Sequence, residues 1–207
     1  MSRPLQIGVT GGIGSGKSVV CQLFSCLDIP VYNADRRAKW LTNHDPEIKE
    51  RVLTLLGTRA YNEQGFYDTS FVASVVFKNE ELLKQLNAII HPVVLRDTEN
   101  WVIQNSASPY VIKEAAIMKA AGEGNALDYV IVVEAPFDLR IERILERDKR
   151  SEEEVKSIIQ RQVSDESRRR IGDFIVANNE VSELIPQVLE LHQLFLRKIL
   201  EKLEVNI

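Results

Sequence analysis

Short apolar runs alternate along the chain with longer stretches in which apolar residues recur every three or four positions. Leu5-Gln6-Ile7-Gly8-Val9-Thr10 predicts a short buried strand, and Val19-Val20-Cys21-Gln22-Leu23-Phe24 opens a helix that should end near Leu27, before Asp28. Ile29-Pro30-Val31-Tyr32 predicts a second strand with Pro30 at its start, where proline is tolerated. A helix then begins at Arg36 and continues through Ala38, Trp40 and Leu41. From Asp45-Pro46 to Trp101 the pattern is helical, broken by turn signals at Gly57 and Asn62-Glu63-Gln64-Gly65. Val52, Leu53, Leu55 and Leu56 supply one apolar face; Phe71, Val75, Val76, Leu82, Leu83, Leu86 and Ile89 supply others. His91-Pro92 is expected to interrupt this block, because proline disfavours helical geometry at the preceding residue.

Three more strands are predicted at Pro109–Glu114, Tyr129–Glu134 and Asp173–Asn178. Between the last two lie a helix over Asp138–Asp148 and a second helix running to about Ser164. Ser151 and Glu154 form a capping box at the start of that second helix. A closing helix covers Val181–Leu203, with Leu184, Val188, Leu191, Leu194 and Leu196 packing inward. Strands alternating with helices give an α/β fold: a five-stranded parallel sheet covered on both faces. The block between the second and third strands is too long for a plain crossover, so a helical insertion is expected there.

Composition changes this picture little. The 207 residues are 44% hydrophobic and 27% charged, which suits one globular domain with an inserted subregion. A formal charge of −4 gives no general reason to expect nucleic acid or membrane as partner. No apolar run reaches the length of a membrane span. Met1-Ser2-Arg3-Pro4 leads straight into the first strand and leaves no room for a signal peptide. Cys21 and Cys26, five residues apart on the first helix, are expected to face different ways and to be buried free thiols, as in a reducing cytoplasm.

The chemistry starts where the first strand ends. Gly11-Gly12-Ile13-Gly14-Ser15-Gly16-Lys17-Ser18 fits G-x-x-x-x-G-K-[ST], the phosphate-binding P-loop, and Val19 continues it into the helix. A glycine-rich turn lets successive N–H groups converge on phosphate oxygens, and the helix N-terminus adds donors and partial positive charge. Lys17 would reach the β- and γ-phosphates, and the Ser18 hydroxyl would hold Mg²⁺. A dinucleotide-binding loop, with Asp35 as the ribose acid, explains neither Lys17-Ser18 nor the glycine spacing.

Other candidates are read with their plainer alternatives. Asp35, just past the second strand, is either a helix cap or a base that takes a proton from an acceptor hydroxyl. His91 is either a helix-junction histidine or a contact. Glu114 is a cap, an acceptor contact or a carboxylate that orients Mg²⁺-bound water. Glu134 imitates a metal-binding acid but is not assigned to metal. Arg140, Arg143, Arg147 and Arg161 either form a solvated face or sit on a lid that brings guanidinium groups onto transferring phosphates. Arg168-Arg169-Arg170 calls for a local explanation.

Taken together, these segments resemble the dephospho-coenzyme A kinase family over nearly the whole chain. Ile7–Ser18 is similar to its opening, and Asn33-Ala34-Asp35 falls at its Asp-Ala-Asp element. Ile89-Ile90-His91-Pro92 resembles its I-x-H-P element, and Arg147-Asp148, Ser151–Glu154 and Arg161-Gln162 its lid. Asp173–Asn178 resembles its A-D-[FY]-x-I-x-N ending. The resemblance implies a P-loop nucleoside triphosphate hydrolase-type core at about 1–44, 105–148 and 172–207. It also implies a helical CoA-side subdomain at about 45–104 and a lid at about 149–171. The implied activity is transfer of the ATP γ-phosphate to the ribose 3′-hydroxyl of dephospho-CoA. Asp35 becomes the implied base, and Thr10 and His91 become acceptor-side contacts. Arg143, Arg147 and Arg161 become phosphate contacts, with Asn178 near adenine.

Three departures lie on the acceptor side. Asn33 replaces an acid, and Thr69 stands where Gly-x-x-Asp-Arg has arginine. Glu114-Ala115-Ala116-Ile117-Met118-Lys119-Ala120 keeps only the leading acid of D-x-P-L-L-F-E, in longer form. The expected enzyme is an ATP- and Mg²⁺-dependent cytoplasmic kinase, a monomer or weak homo-oligomer with small-molecule partners. The alternatives are a kinase for another nucleoside or alcohol acceptor, and a non-catalytic sensor of CoA-like ligands. A guanine-nucleotide switch is disfavoured because Asn-Lys-x-Asp is absent.

Overall fold

The computed structural model describes residues 3–77 and 79–204, the side chains of Leu203 and Glu204 excepted. Met1 and Ser2, on which the signal-peptide expectation partly rests, lie outside the described residues. Strand β1 (Leu5–Thr10) is buried along its full length, as expected for a parallel strand covered on both faces. Helix α1 (Lys17–Cys26) turns Val20, Cys21 and Phe24 inward. Strand β2 (Val31–Asn33) runs directly into α2 (Ala34–His44), which begins two residues earlier than expected. Ala34 is a strong helix former, and Asp35 in the first turn suits the positive end of the helix dipole, so the helix can start directly after the strand.

Helix α3 (Pro46–Leu56) starts at Asp45, whose carboxylate accepts from the Ile48 amide at 3.0 Å. A short 3₁₀ turn over Thr58–Ala60 and the turn at Asn62–Gly65 lead to α4 (Thr69–Val76), capped by Asp68. Helix α5 (Glu80–Gln104) contains Pro92 in its interior. The expected interruption at His91-Pro92 is therefore absent. An internal proline costs about 3 kcal/mol. Here Leu86 and Ile89 before it and Val93 after it enter one apolar cluster with Val52 and Val76, which offsets the loss.

Strands β3 (Tyr110–Glu114) and β4 (Tyr129–Glu134) precede α6 (Phe137–Arg147). Helix α7 (Glu152–Arg161) carries the expected Ser151–Glu154 capping box, with both reciprocal hydrogen bonds. It stops three residues short of Ser164, which instead caps α8 (Asp165–Ile171) by accepting from the Ser167 amide at 3.1 Å. Serine followed by Asp165 and Glu166 is a start signal strong enough to divide the segment. Strand β5 (Phe174–Ala177) and helix α9 (Leu184–Glu204) complete the chain. Helix α9 starts later than expected because Asn179 Oδ1 takes the amides of Val181 and Ser182 into a local turn.

The five strands are all parallel in the order β2-β3-β1-β4-β5. In register, Val9 lies beside Glu114, Glu114 beside Asn33, and Thr10 beside Val132. The carboxyl ends of the strands, where open α/β sheets bind ligands, thus gather Thr10, Asn33, Glu114 and Glu134. The chain divides into two compact units, Met1–Asn33 with Val102–Ile207, and Ala34–Trp101. The first is built on the sheet and buries Ile7, Val9, Phe24, Ile112, Ile131 and Phe195 completely. Each such side chain contributes about 1.5–3 kcal/mol. On α9, Val188 and Leu191 pack inward as expected, while Leu194 and Leu196 are only partly buried and Phe195 goes deepest. The second unit has its own core around Ile48, Val52, Ala60, Val72 and Val76.

Cys21 is buried but Cys26 is exposed, which corrects the expectation of two buried thiols. Five residues of helix turn the side chain well away from the sheet. Burial, reinforced by the Glu114 carboxylate, pushes the Cys21 thiol far above its ordinary range. A thiolate-directed alkylating reagent is therefore expected to modify Cys26 alone in the native protein, and Cys21 only after denaturation. Mass mapping at both sites checks this, and comparable native rates at the two cysteines would contradict it.

Candidate active site

The loop between β1 and α1 is shaped by what lies against it. Gly16 adopts φ 89°, a left-handed conformation, and a Cβ there would collide with the Asn178 side-chain amide. Gly12 packs so closely on the Arg140 guanidinium that a Cβ would overlap Nη2. Lys17 Nζ donates to the carbonyls of Gly11 and Gly12 at 2.9 and 3.2 Å, which folds the ammonium back over the loop. Ser18 and Val19 are exposed in the first turn of α1, and the Val19 amide donates to Gly16 O at 3.0 Å. Ser15 is buried.

One side of the loop is held by residues from α6 to α8. Arg140 Nε donates to Ile13 O at 2.8 Å, and its Nη1 donates to Asp165 Oδ1 and Oδ2 at 3.1 and 3.0 Å. The Ile13 amide donates to Gln162 Oε1 at 2.9 Å. Arg168 bridges the two, donating to Asp165 Oδ1 at 2.7 Å and to Gln162 Oε1 at 3.3 Å. Burial pulls the Arg168 guanidinium below its ordinary value, and Asp165 opposes that shift. Arg169 pairs with Glu134, and Arg170 with Glu166. The three consecutive arginines are thus explained by three different acids.

A second bracket comes from the β5 end. Asn178 Nδ2 donates to Ser15 O at 2.9 Å, while Arg143 donates to Asn178 O and Oδ1 at 3.2 and 3.3 Å and to Glu180. The structure thereby brings Arg143, Asn178 and the loop together. Arg147 instead chelates its neighbour Asp148 from the exposed end of α6, and that bond raises the guanidinium value and lowers the carboxyl value. Arg161 is exposed in the last turn of α7.

At the ends of the strands flanking β1, Glu114 is buried and accepts a hydrogen bond from Asn33 Nδ2. The strand register sets Glu114 beside the last turns of β1, whereas Glu134 is taken up by Arg169. Thr10 is buried, with Oγ1 3.4 Å from the Ala116 carbonyl. Asp35 and His91 belong to the second unit. Asp35 is exposed at the second position of α2, and His91 is exposed midway along α5.

Sequence reasoning named Arg140 only among the candidate lid arginines and Gln162 only within the lid resemblance, and it passed over Asp165 and Arg168 as site residues. A signal was present for Arg140, which shares the apolar face of α6 with the buried Ile141 and Ile144. A charged residue on a helix's buried stripe is almost always paired. Nothing local pointed Asp165 to Arg140, 25 residues earlier, or Gln162 to Ile13, 149 residues earlier.

Comparison with known proteins bears on the family and the fold. A family model described as dephospho-CoA kinase matches residues 5–183. A Bacteroides fragilis dephospho-CoA kinase is 34% identical over 195 residues, covering 94% of this chain and 95% of its own. A Porphyromonas gingivalis dephospho-CoA kinase is 38% identical over 188 residues, covering 90% and 92%. A Thermus thermophilus protein of known crystal structure superposes with TM-score 0.81 at 28% identity, covering 93% of this chain and 97% of that one. The Campylobacter jejuni dephospho-CoA kinase structure, at 21% identity, shares the fold with TM-score 0.61, covering 94% and 98%. With a P-loop on the central strand of a five-stranded parallel sheet and a family match spanning most of its length, this chain belongs to the dephospho-CoA kinase family.

Proposed function

We propose that this protein transfers the γ-phosphoryl group of ATP to the ribose 3′-hydroxyl of dephospho-CoA, giving CoA and ADP. The observation that carries the reading is the intact loop Gly11–Ser18 at the end of β1, in a chain whose family match extends over both the sheet and the helical insertion. The loop amides and Lys17 bind the phosphates. The acceptor hydroxyl gives its proton to Asp35 as its oxygen attacks the γ-phosphorus in line, and the bond to the β,γ-bridging oxygen breaks. Arg143, held by Asn178, together with Arg147 and Arg161, supplies positive charge where negative charge develops. Asn178 borders the adenine end. Thr10, Glu114 and His91 serve the acceptor.

Mg²⁺ fits the donor set. Among the described residues no group of three or more His, Cys, Asp or Glu gathers into a cage. A magnesium ion that takes most of its ligands from phosphates and water would need little more than the Ser18 hydroxyl. Its chemistry is neutralisation of phosphate charge.

The family implies a role for each part: a catalytic core, an acceptor-side subdomain around 45–104 and a lid around 149–171. Among the described residues no helix is long and apolar enough to cross a membrane. A cytoplasmic enzyme, monomeric or weakly self-associating, is the setting we propose. Of the acceptor-side departures, Asn33 is accommodated. An aspartate there would face the buried Glu114 carboxylate, whereas the amide donates to it.

The test is ADP release with MgATP, with and without dephospho-CoA, and the product mass. Acceptor-dependent release with a gain of one phosphate is expected. ATP binding without such release would reject the acceptor and send the search to other alcohols.

A further inference from the structure

We infer that Arg140, Gln162, Asp165 and Arg168 form a positioning ring that sets the phosphate-binding loop, gripping Ile13 by both of its backbone groups. The inference rests on the reading that this loop binds ATP. The circuit closes: Ile13 O to Arg140, Arg140 to Asp165, Asp165 to Arg168, Arg168 to Gln162, and Gln162 back to Ile13 N. Ile13 is the loop's one large apolar side chain, and it packs on the cluster of Ile141, Ile144, Val155 and Ile159. The loop is thus pinned by an apolar plug and by two hydrogen bonds on either side of the same residue.

Two features separate this ring from ordinary packing. Gln162 lies in extended backbone after α7, so no helix dictates where its side chain goes, yet it reaches a residue 149 positions earlier. The ring also carries two guanidinium groups against one carboxylate. Arg140 is 2% exposed and Arg168 4%, and Arg140 Nη2 is buried without a protein partner, flush against Gly12. A positive charge fixed in a dry site behind an anion-binding loop favours the occupied loop without touching the ligand. With the Ile13 amide engaged by Gln162, phosphate recognition falls to the later amides of the loop. Binding phosphate there and docking the α7–α8 junction become one event.

The experiment is calorimetric titration of the full-length protein with MgATP, without acceptor, for wild type, Gln162→Leu and Gln162→Glu. Leucine keeps the size but accepts no hydrogen bond; glutamate still accepts from both Ile13 and Arg168. We expect Gln162→Leu to weaken ATP binding about tenfold, and Gln162→Glu, which keeps both hydrogen bonds but cancels the ring's excess positive charge, to weaken it clearly less. Hydrogen exchange at residues 162–168 should slow on ATP addition in wild type and not in Gln162→Leu. Unchanged ATP affinity in Gln162→Leu, or equal weakening in both variants, overturns the inference. If Gln162→Leu does not fold, Gln162→Met, which likewise lacks the amide oxygen and leaves the charge unchanged, takes its place with the same expectation, and unchanged ATP affinity there overturns it as well. Failure of the proposed function looks different: wild type would bind ATP, with that binding still dependent on Gln162, yet would not phosphorylate dephospho-CoA.

Discussion

Asp35→Asn is expected to lower acceptor-dependent ADP release by about 10²- to 10⁴-fold while leaving MgATP affinity within about twofold. The substitution keeps the shape of the side chain and removes its ability to take a proton. The plainer role for Asp35, a helix cap, is disfavoured by its position: α2 already includes Ala34, so Asp35 stands inside the first turn rather than before it. What remains of a structural role is interaction with the helix dipole, worth about 0.3–1 kcal/mol at an exposed site. Stability should therefore fall by at most that amount, which thermal unfolding can resolve from a large kinetic loss. A fall in turnover of less than about tenfold would remove Asp35 from the role of base.

Lys17→Met should have the second-largest effect, a loss of about 10²- to 10³-fold in kcat/KM for ATP. The ammonium is anchored on the carbonyls of Gly11 and Gly12, so it is already placed within the loop. Methionine retains the stem and loses the charge. Lys17→Arg should not restore activity, because a planar guanidinium cannot take both carbonyls and a phosphate from the same point. Steady-state kinetics with varied ATP, together with direct titration, will separate the contributions. Equal losses in ATP affinity and in kcat/KM would mean that Lys17 serves ground-state binding only.

The sheet was legible because its strands are written locally. Tyr129–Glu134 is an apolar run ending in an acid, and nothing in its surroundings contradicts a strand. The loop was legible for the same reason, since Gly11–Ser18 encodes its own turn. Helix ends were less so. Pro92 argues for a break on local grounds, yet Leu86, Ile89 and Val93 pack across it, and tertiary burial prevails over a local rule. Ser164 shows the converse, a local start signal, with Asp165 and Glu166 behind it, that divides a stretch expected to be one helix.

The site divided along similar lines. Asn178 was readable from family resemblance, but its hydrogen bond to Ser15 spans the length of the first unit. No sequence spacing encodes such a bond. The Arg140–Asp165 pairing is likewise a product of the packing of α6 against the segment that follows α7, and only the finished fold reveals it.

The outermost strands, β2 with three residues and β5 with four, are shorter than the inner strands of five and six. An exposed strand edge is a template for further pairing, and short edges offer few groups to copy. Crowded refolding should therefore yield little ribbon-like aggregate seeded from these two margins. This tolerance comes from the lengths of the peripheral strands, independently of anything at the nucleotide.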